Sequence, residues 1–283
     1  MIVFEKNNVD RKKALNEMLN GSGAFVVKNF YTLEQIKQAR DIVNKFADNE
    51  EQKESHFNAE AESSGKIHLQ QRVWNLFNKG KIFSELIEED IIFDLMSGFL
   101  GSKFICGSYA ASRLLPDAPG QEPHIDYPYW DFYEKDSFPM GLNSSFPQNC
   151  QATVPLDDCT ELSGATAYYP GSQTNLRYPT KEDDFSDMQQ MVSYPGDIVF
   201  FNGNCWHGAM PNKSKHQRAV LLINFLPKYV KPVEDLLINL DKDFINNCSD
   251  KIKHLLGLNY PYPKNMDSSR TTNDIGIGYK GNK

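Results

Sequence analysis

Apolar positions recur at helical spacing over the first hundred residues, and beyond them they gather into short runs bounded by turn formers. Gly21-Ser22-Gly23 leads into Ala24-Phe25-Val26-Val27, a turn followed by an apolar run, and this predicts a strand. Thr32 and Gln35 have the spacing of a capping box, and Leu33, Ile36, Ala39, Ile42, Val43 and Phe46 follow at three- and four-residue steps. A helix over 33–47 is predicted. Phe83, Leu86, Ile87, Ile91, Leu95 and Phe99 predict a second helix over 81–100, ended near Gly101. Between the two, Asp48 to Lys66 is polar and charged, with a solvated run around Glu50–Glu62, and reads as a loop.

After residue 100, runs rich in Val, Ile, Phe and Tyr predict strands at 104–115, 151–156, 164–169, 189–194, 197–202 and 218–226. A proline-rich segment from Pro116 to Asn149 is long enough to act as a functional lid. A last amphipathic helix is predicted over 233–256, followed by a polar tail from Asn259. Helices, then many short strands, then a helix suggest an antiparallel sandwich or barrel with helical buttresses. Strand–helix alternation, which a parallel sheet would need, is missing. No repeat and no internal linker interrupts the pattern, so one domain over 1–283 is expected, with its strand core at about 104–226.

Composition narrows the class mainly by exclusion. A chain of 283 residues, 40% hydrophobic, can bury a sizeable core. Thirty basic against 37 acidic residues give a net charge of −7, which argues against nucleic acid as a partner, since phosphate-backbone affinity needs clustered positive charge. No apolar run approaches the roughly 20 residues of a membrane span, and Met1 to Lys6 becomes charged too soon for a secretory signal. A cytoplasmic protein with no membrane partner is expected. Five widely spaced cysteines, with no C-x-x-C pair, point to packed thiols; neither a disulfide framework nor a thiolate zinc site is indicated. Nothing in the pattern fixes an oligomeric state.

The candidate chemistry lies in the strand region. His124-Ile125-Asp126 places an imidazole and a carboxylate at i and i+2, on one face of an extended chain. His207 ends the apolar run launched by Pro195-Gly196-Asp197. Two imidazoles and one carboxylate on one side of a metal form the facial triad of non-haem iron(II) oxygenases, with positions left open for an oxo acid and dioxygen. Eleven residues after His207, Arg218 opens the next strand across the turn Pro211-Asn212-Lys213-Ser214. Its guanidinium fork suits the distal carboxylate of a diacid, which selects 2-oxoglutarate over a generic metal site.

With these residues the sequence resembles the phytanoyl-CoA dioxygenase family of Fe(II)/2-oxoglutarate oxygenases, whose pattern is H-x-D, a distal H, and R some eleven residues later. Gly23 to Phe30, Leu156 to Gly164, Pro170-Gly171-Ser172, and Trp206-His207-Gly208 with Asn212 complete the likeness over about 24–226. The resemblance implies a double-stranded β-helix, the cupin-like jelly roll. It further implies oxidative decarboxylation of 2-oxoglutarate to succinate and CO2 by O2, coupled to hydroxylation of an aliphatic carbon in a small-molecule substrate. Halogenases that resemble the family carry Gly or Ala where Asp126 stands, so hydroxylation is the outcome implied here. The sequence departs from the pattern at Gln173, where the family often has histidine. It departs again at Thr153, where the family often has an aromatic residue touching the cosubstrate; the Thr153 hydroxyl is the candidate second contact to 2-oxoglutarate.

The remaining candidates have plainer readings. His56, His68, His216 and His254 read as surface residues, and Cys205 as a small packed residue facing away from the metal. In the aromatic run after Asp126, Tyr127 and Trp130 are candidates for lining the substrate pocket. The net negative charge leans away from CoA esters and toward a small polar or zwitterionic substrate. Two other classes share the motif: a metal-binding jelly-roll protein without turnover, and a zinc hydrolase, which has no need of Arg218.

Overall fold

Alternation along the central strands decides the architecture. On β10 (Arg218–Pro227), Ala219, Leu221, Ile223 and Phe225 enter the main apolar core, while Leu222 and Asn224 line a cavity on the other side. On β5 (Cys150–Pro155), Cys150, Ala152 and Val154 face the core, and Gln151 and Thr153 face the cavity. Strand β4 (Phe104–Leu114) changes phase midway. Phe104 and Cys106 are core residues before Gly107, and Tyr109 and Ala111 after it. The register skips Gly107 between the pairs Phe225–Cys106 and Asn224–Ser108, so Gly107 is the extra residue of a β-bulge.

The structure is a computed structural model, and it describes residues 1–49, 64–127, 147–232, 234–238 and 240–259. The remaining strands are β1 (Ile2–Glu5), β2 (Ala24–Lys28), β3 (Gln70–Val73), β6 (Thr166–Tyr168), β7 (Gln189–Gln190), β8 (Ile198–Asn202) and β9 (His207–Ala209). They form a seven-stranded sheet in the order β1-β2-β8-β5-β10-β4-β3 and a three-stranded sheet in the order β7-β6-β9. All pairs are antiparallel except β1 with β2. This is the mainly β, helix-flanked jelly roll expected from the sequence, with no closed barrel among the described residues.

Helices cover the core face of the large sheet. Helix α1 (Arg11–Asn20) buries only Ala14 and Met18, a stripe too narrow to stand out in the sequence. Helix α2 (Leu33–Asn49) starts at the expected capping box: Gln35 N–H donates to Thr32 Oγ1 at 3.2 Å, and Thr32 N–H donates to Gln35 Oε1 at 2.9 Å. The helix expected over 81–100 is instead two, α4 (Lys81–Ile87) and α5 (Asp90–Leu100), after a short α3 (Leu76–Lys79). Glu89 is extended and restarts the helix, and Lys251 bonds both Glu88 O and Asp90 Oδ1 at 2.6 Å, which fixes the break. The single helix expected over 233–256 is likewise corrected to α6 (Lys242–Asn247) and α7 (Asp250–Leu255). Cys248 is extended, and Ser249 caps the new start by accepting from Ile252 N–H. Among the described residues no helix is long and apolar enough to cross a membrane.

Candidate active site

The loop carrying His124 and Asp126 is tied to the small sheet by backbone bonds. His124 and His207 exchange N–H···O bonds of 2.9 Å in both directions, and Asp126 N–H donates to Gly203 O at 2.9 Å. The two imidazoles come side by side, ring centroids 4.5 Å apart, with the Asp126 carboxylate beside them. Asp126 Oδ2 lies 3.5 Å from His207 Nε2, and Oδ1 lies 3.9 Å from His124 Nε2. One ligand atom from each residue falls within 4.8 Å of the others.

The tautomers follow from the neighbours. His124 Nδ1 lies 2.8 Å from Glu122 O, and His207 Nδ1 lies 2.8 Å from Cys205 O. A carbonyl only accepts, so in the neutral ring each Nδ1 carries the proton and each Nε2 presents its lone pair inward. The His124 ring keeps 27% of its side chain open to the cavity, yet burial and then the proximity of His207 lower its pKa to about 4, with Asp126 opposing. Gln151 Nε2 donates to Asp126 Oδ2 and holds the carboxylate in place.

The triad opens into a cavity of about 290 Å³ whose other walls include Arg72, Trp74, Phe201 and Glu234. Thr153 lies where this cavity meets a gap of about 10 Å³ beside Arg218, since Thr153 and Thr166 line both. Arg218 is 3% exposed, and burial pushes its pKa down, with Cys159 and Asp157 opposing. Its Nη2 donates to Gly164 O, and its Nε has no hydrogen-bond partner among the described residues. Gly164 sits at φ +82°, and a Cβ there would come within 2.4 Å of Met210 O, so only glycine brings that carbonyl to the guanidinium. Asn212 holds the preceding turn: its Nδ2 donates to Leu114 O, Leu115 O and His216 O, and its Oδ1 accepts from Ser214.

Thus His124, Asp126 and His207 come together on the cavity, Thr153 is on its wall, and Arg218 lines the small gap that Thr153 shares with it. Tyr127 is elsewhere: it is 1% exposed, packed with Ile105, Leu226 and Val230, and donates its hydroxyl to Lys231 O at 3.3 Å. Trp130, His56, the Glu50–Glu62 run and most of the Pro116–Asn149 segment lie outside the described residues. His68 and His216 are exposed, whereas His254, expected at the surface, is half-buried against Phe93 and Phe104. Cys205 is buried, donates its thiol to Gln173 Oε1 at 3.2 Å, and is not among the convergent ligand atoms; burial raises its pKa to about 12. Gln173, the departure noted in the sequence, donates to Gly21 O and so fastens the turn before β2.

Gln151, Asn224, Arg72 and Glu234 are cavity residues that the sequence reading passed over. Gln151 stands two residues before Thr153 on one strand, a period-two signal that points to it. Asn224 is the lone amide of β10, where the other residues after Arg218 are apolar.

Comparison with known proteins gives a consistent picture. The family profile described as phytanoyl-CoA dioxygenase (PhyH) matches residues 19–220. Dioxygenase ALT11 of Alternaria alternata is 24% identical over 86% of this chain and 80% of its own length. Dioxygenase FrzG of Cladobotryum sp is 23% identical over 89% of this chain and 86% of its own. Dioxygenase trt7 of Aspergillus terreus is 24% identical over 78% of this chain and 75% of its own.

Proposed function

This chain belongs to the phytanoyl-CoA dioxygenase family and is a dioxygenase of the iron/2-oxoglutarate type, and from that premise we propose the roles of its residues. His124, Asp126 and His207 hold one Fe(II), and Arg218 with Thr153 takes 2-oxoglutarate. The reaction hydroxylates an aliphatic carbon of a small polar molecule with O2. The observation that carries this reading is the convergence of the three ligand atoms within 4.8 Å.

The donor set fits the metal. Two imidazole nitrogens and a carboxylate suit iron(II), and among the described residues no cysteine joins the ligand atoms that converge there. Bound there, iron would supply activation of dioxygen coupled to oxidative decarboxylation of 2-oxoglutarate to succinate and CO2. The protein's own contribution is orientation: backbone carbonyls aim both histidines, and Gln151 aims the carboxylate. A buried guanidinium with an unused Nε donor supports a carboxylate partner, and the zinc-hydrolase alternative gives it no task. Arg72 and Glu234 on the walls favour a polar substrate over a long acyl thioester.

The test is succinate release under air from 2-oxoglutarate with added iron(II), measured against a metal-free control. Iron-dependent succinate is expected. Uptake of 2-oxoglutarate without succinate would leave a binding protein, and ester or amide hydrolysis with zinc alone would favour the hydrolase.

A further inference from the structure

Asn224 is 4% exposed and lines the cavity, yet neither its Oδ1 nor its Nδ2 has a hydrogen-bond partner among the described residues. Buried carboxamides are ordinarily satisfied, because an unmade bond leaves the full desolvation penalty in place. The backbone around Asn224 is built to present it. It stands opposite Gln151 on one neighbouring strand and Ser108 on the other, so one register row runs from the Asp126 partner across the cavity. The bulge at Gly107 falls beside it, and bulges next to sites re-aim side chains. A Cβ on Gly107 would lie 2.6 Å from Asn224 Oδ1, so the absent side chain is what leaves room for the carboxamide.

We infer that Asn224 is the specificity residue for substrate, and that it takes a molecule presenting an N–H donor and a carbonyl acceptor side by side, as a lactam does. A lactam's cis N–H and C=O match the Asn224 Oδ1 and Nδ2 in a two-bond pair. An ester, lactone or thioester has only the acceptor, and leaves Oδ1 without a partner. Such a mismatch discriminates far more strongly than a change of apolar bulk. The inference rests on the dioxygenase reading for the position of the reacting carbon, and it adds the group that is recognised.

The experiment titrates ε-caprolactam, N-methyl-ε-caprolactam and ε-caprolactone into the full chain loaded with iron(II) and 2-oxoglutarate under argon, by calorimetry. The titrations are repeated on the metal-free chain. The lactam is expected to bind more tightly than either analogue by roughly 5- to 150-fold, the factor for orphaning one buried polar group. Asn224→Leu should erase that preference. Asn224→Asp, which keeps the volume and the acceptor, should weaken the lactam while still disfavouring the N-methyl ring, and serves if the leucine variant does not fold. Equal binding of the three rings to the wild-type chain, no lactam binding at all, or a preference that survives Asn224→Leu would overturn the inference. Loss of the dioxygenase reading has a separate signature, an absence of iron-dependent succinate from the wild-type chain.

Discussion

The two faces of the seven-stranded sheet are made by the same strands and obey opposite rules. Toward the helices, Tyr109, Val154, Phe200, Leu221, Ile223 and Phe225 are all buried among apolar neighbours. Toward the cavity, the alternate positions Ser108, Gln151, Thr153 and Asn224 are polar, and some of their hydrogen-bonding capacity is left unused. One face therefore supplies stability, and the other holds side chains ready for groups that the protein does not itself provide. Substitutions on the first should be felt in folding, and those on the second in turnover.

The sharpest way to break this division is to pair a site residue with a core residue. His207→Ala should abolish succinate release and weaken metal binding while the melting temperature of the apoprotein stays close to wild type. Phe200→Ala, in contrast, should destabilise by about 3–5 kcal/mol, as large-to-small core changes do, yet leave turnover intact below the transition. Near-normal activity in His207→Ala, with activity lost in His216→Ala, would show that the triad has been assigned to the wrong histidine.

Arg218 tests whether the cavity face continues past Thr153. A charge-assisted pair left half-made in a buried site costs on the order of 2–5 kcal/mol, or roughly 30- to several-thousand-fold in affinity. Arg218→Ala should raise the KM for 2-oxoglutarate by such a factor and spare iron binding, and Arg218→Lys should recover only part. An unchanged KM would remove the diacid from this position.

Gln151 asks how far the site depends on the side chains behind its ligands. Gln151→Leu keeps the volume and removes the bond to Asp126. Partners of this kind are typically worth about 10- to 100-fold in metal affinity, so iron(II) binding measured by competition with a chelator should weaken by that order. Metal affinity equal to wild type would make Gln151 a plain wall residue.

What could be seen in the sequence follows the same division. The elements of the core were legible because burial on one side imposes a period on α2, whose capping box also read directly, and because β5, β8 and β10 are apolar runs bounded by turn formers. The triad and Arg218 were legible because metal and carboxylate chemistry needs particular residue types at particular spacings. Asn224, Arg72 and Glu234 were not, because a polar residue facing a cavity looks like one facing solvent until the fold closes around it. The Gly107 bulge was hidden for a related reason: one inserted residue reverses which positions face inward, and nothing in the run Ile105-Cys106-Gly107-Ser108 says on which side the phase changes. The helix breaks at Glu88–Glu89 and Cys248 were equally hidden, since long-range bonds from Lys251 and a cap at Ser249 decide them.

The finest test exchanges one hydroxyl between neighbours on β5. Thr153 and Val154 are adjacent, both buried, and point to opposite faces. Val154→Thr puts a hydroxyl into the dry core, where no partner is offered, and should lower stability by ~1–3 kcal/mol with the KM for 2-oxoglutarate unaltered. Thr153→Val removes a hydroxyl where the main cavity meets the Arg218 gap, and its shape is kept, so folding should change little. If that hydroxyl bonds the cosubstrate carboxylate, its loss amounts to about one hydrogen bond, ~1 kcal/mol, and the KM should rise roughly 3- to 10-fold. That is well below the Arg218→Ala effect, because the guanidinium supplies both the charge and two donors. A Thr153→Val enzyme with unchanged KM would leave the cosubstrate to Arg218 alone on this wall.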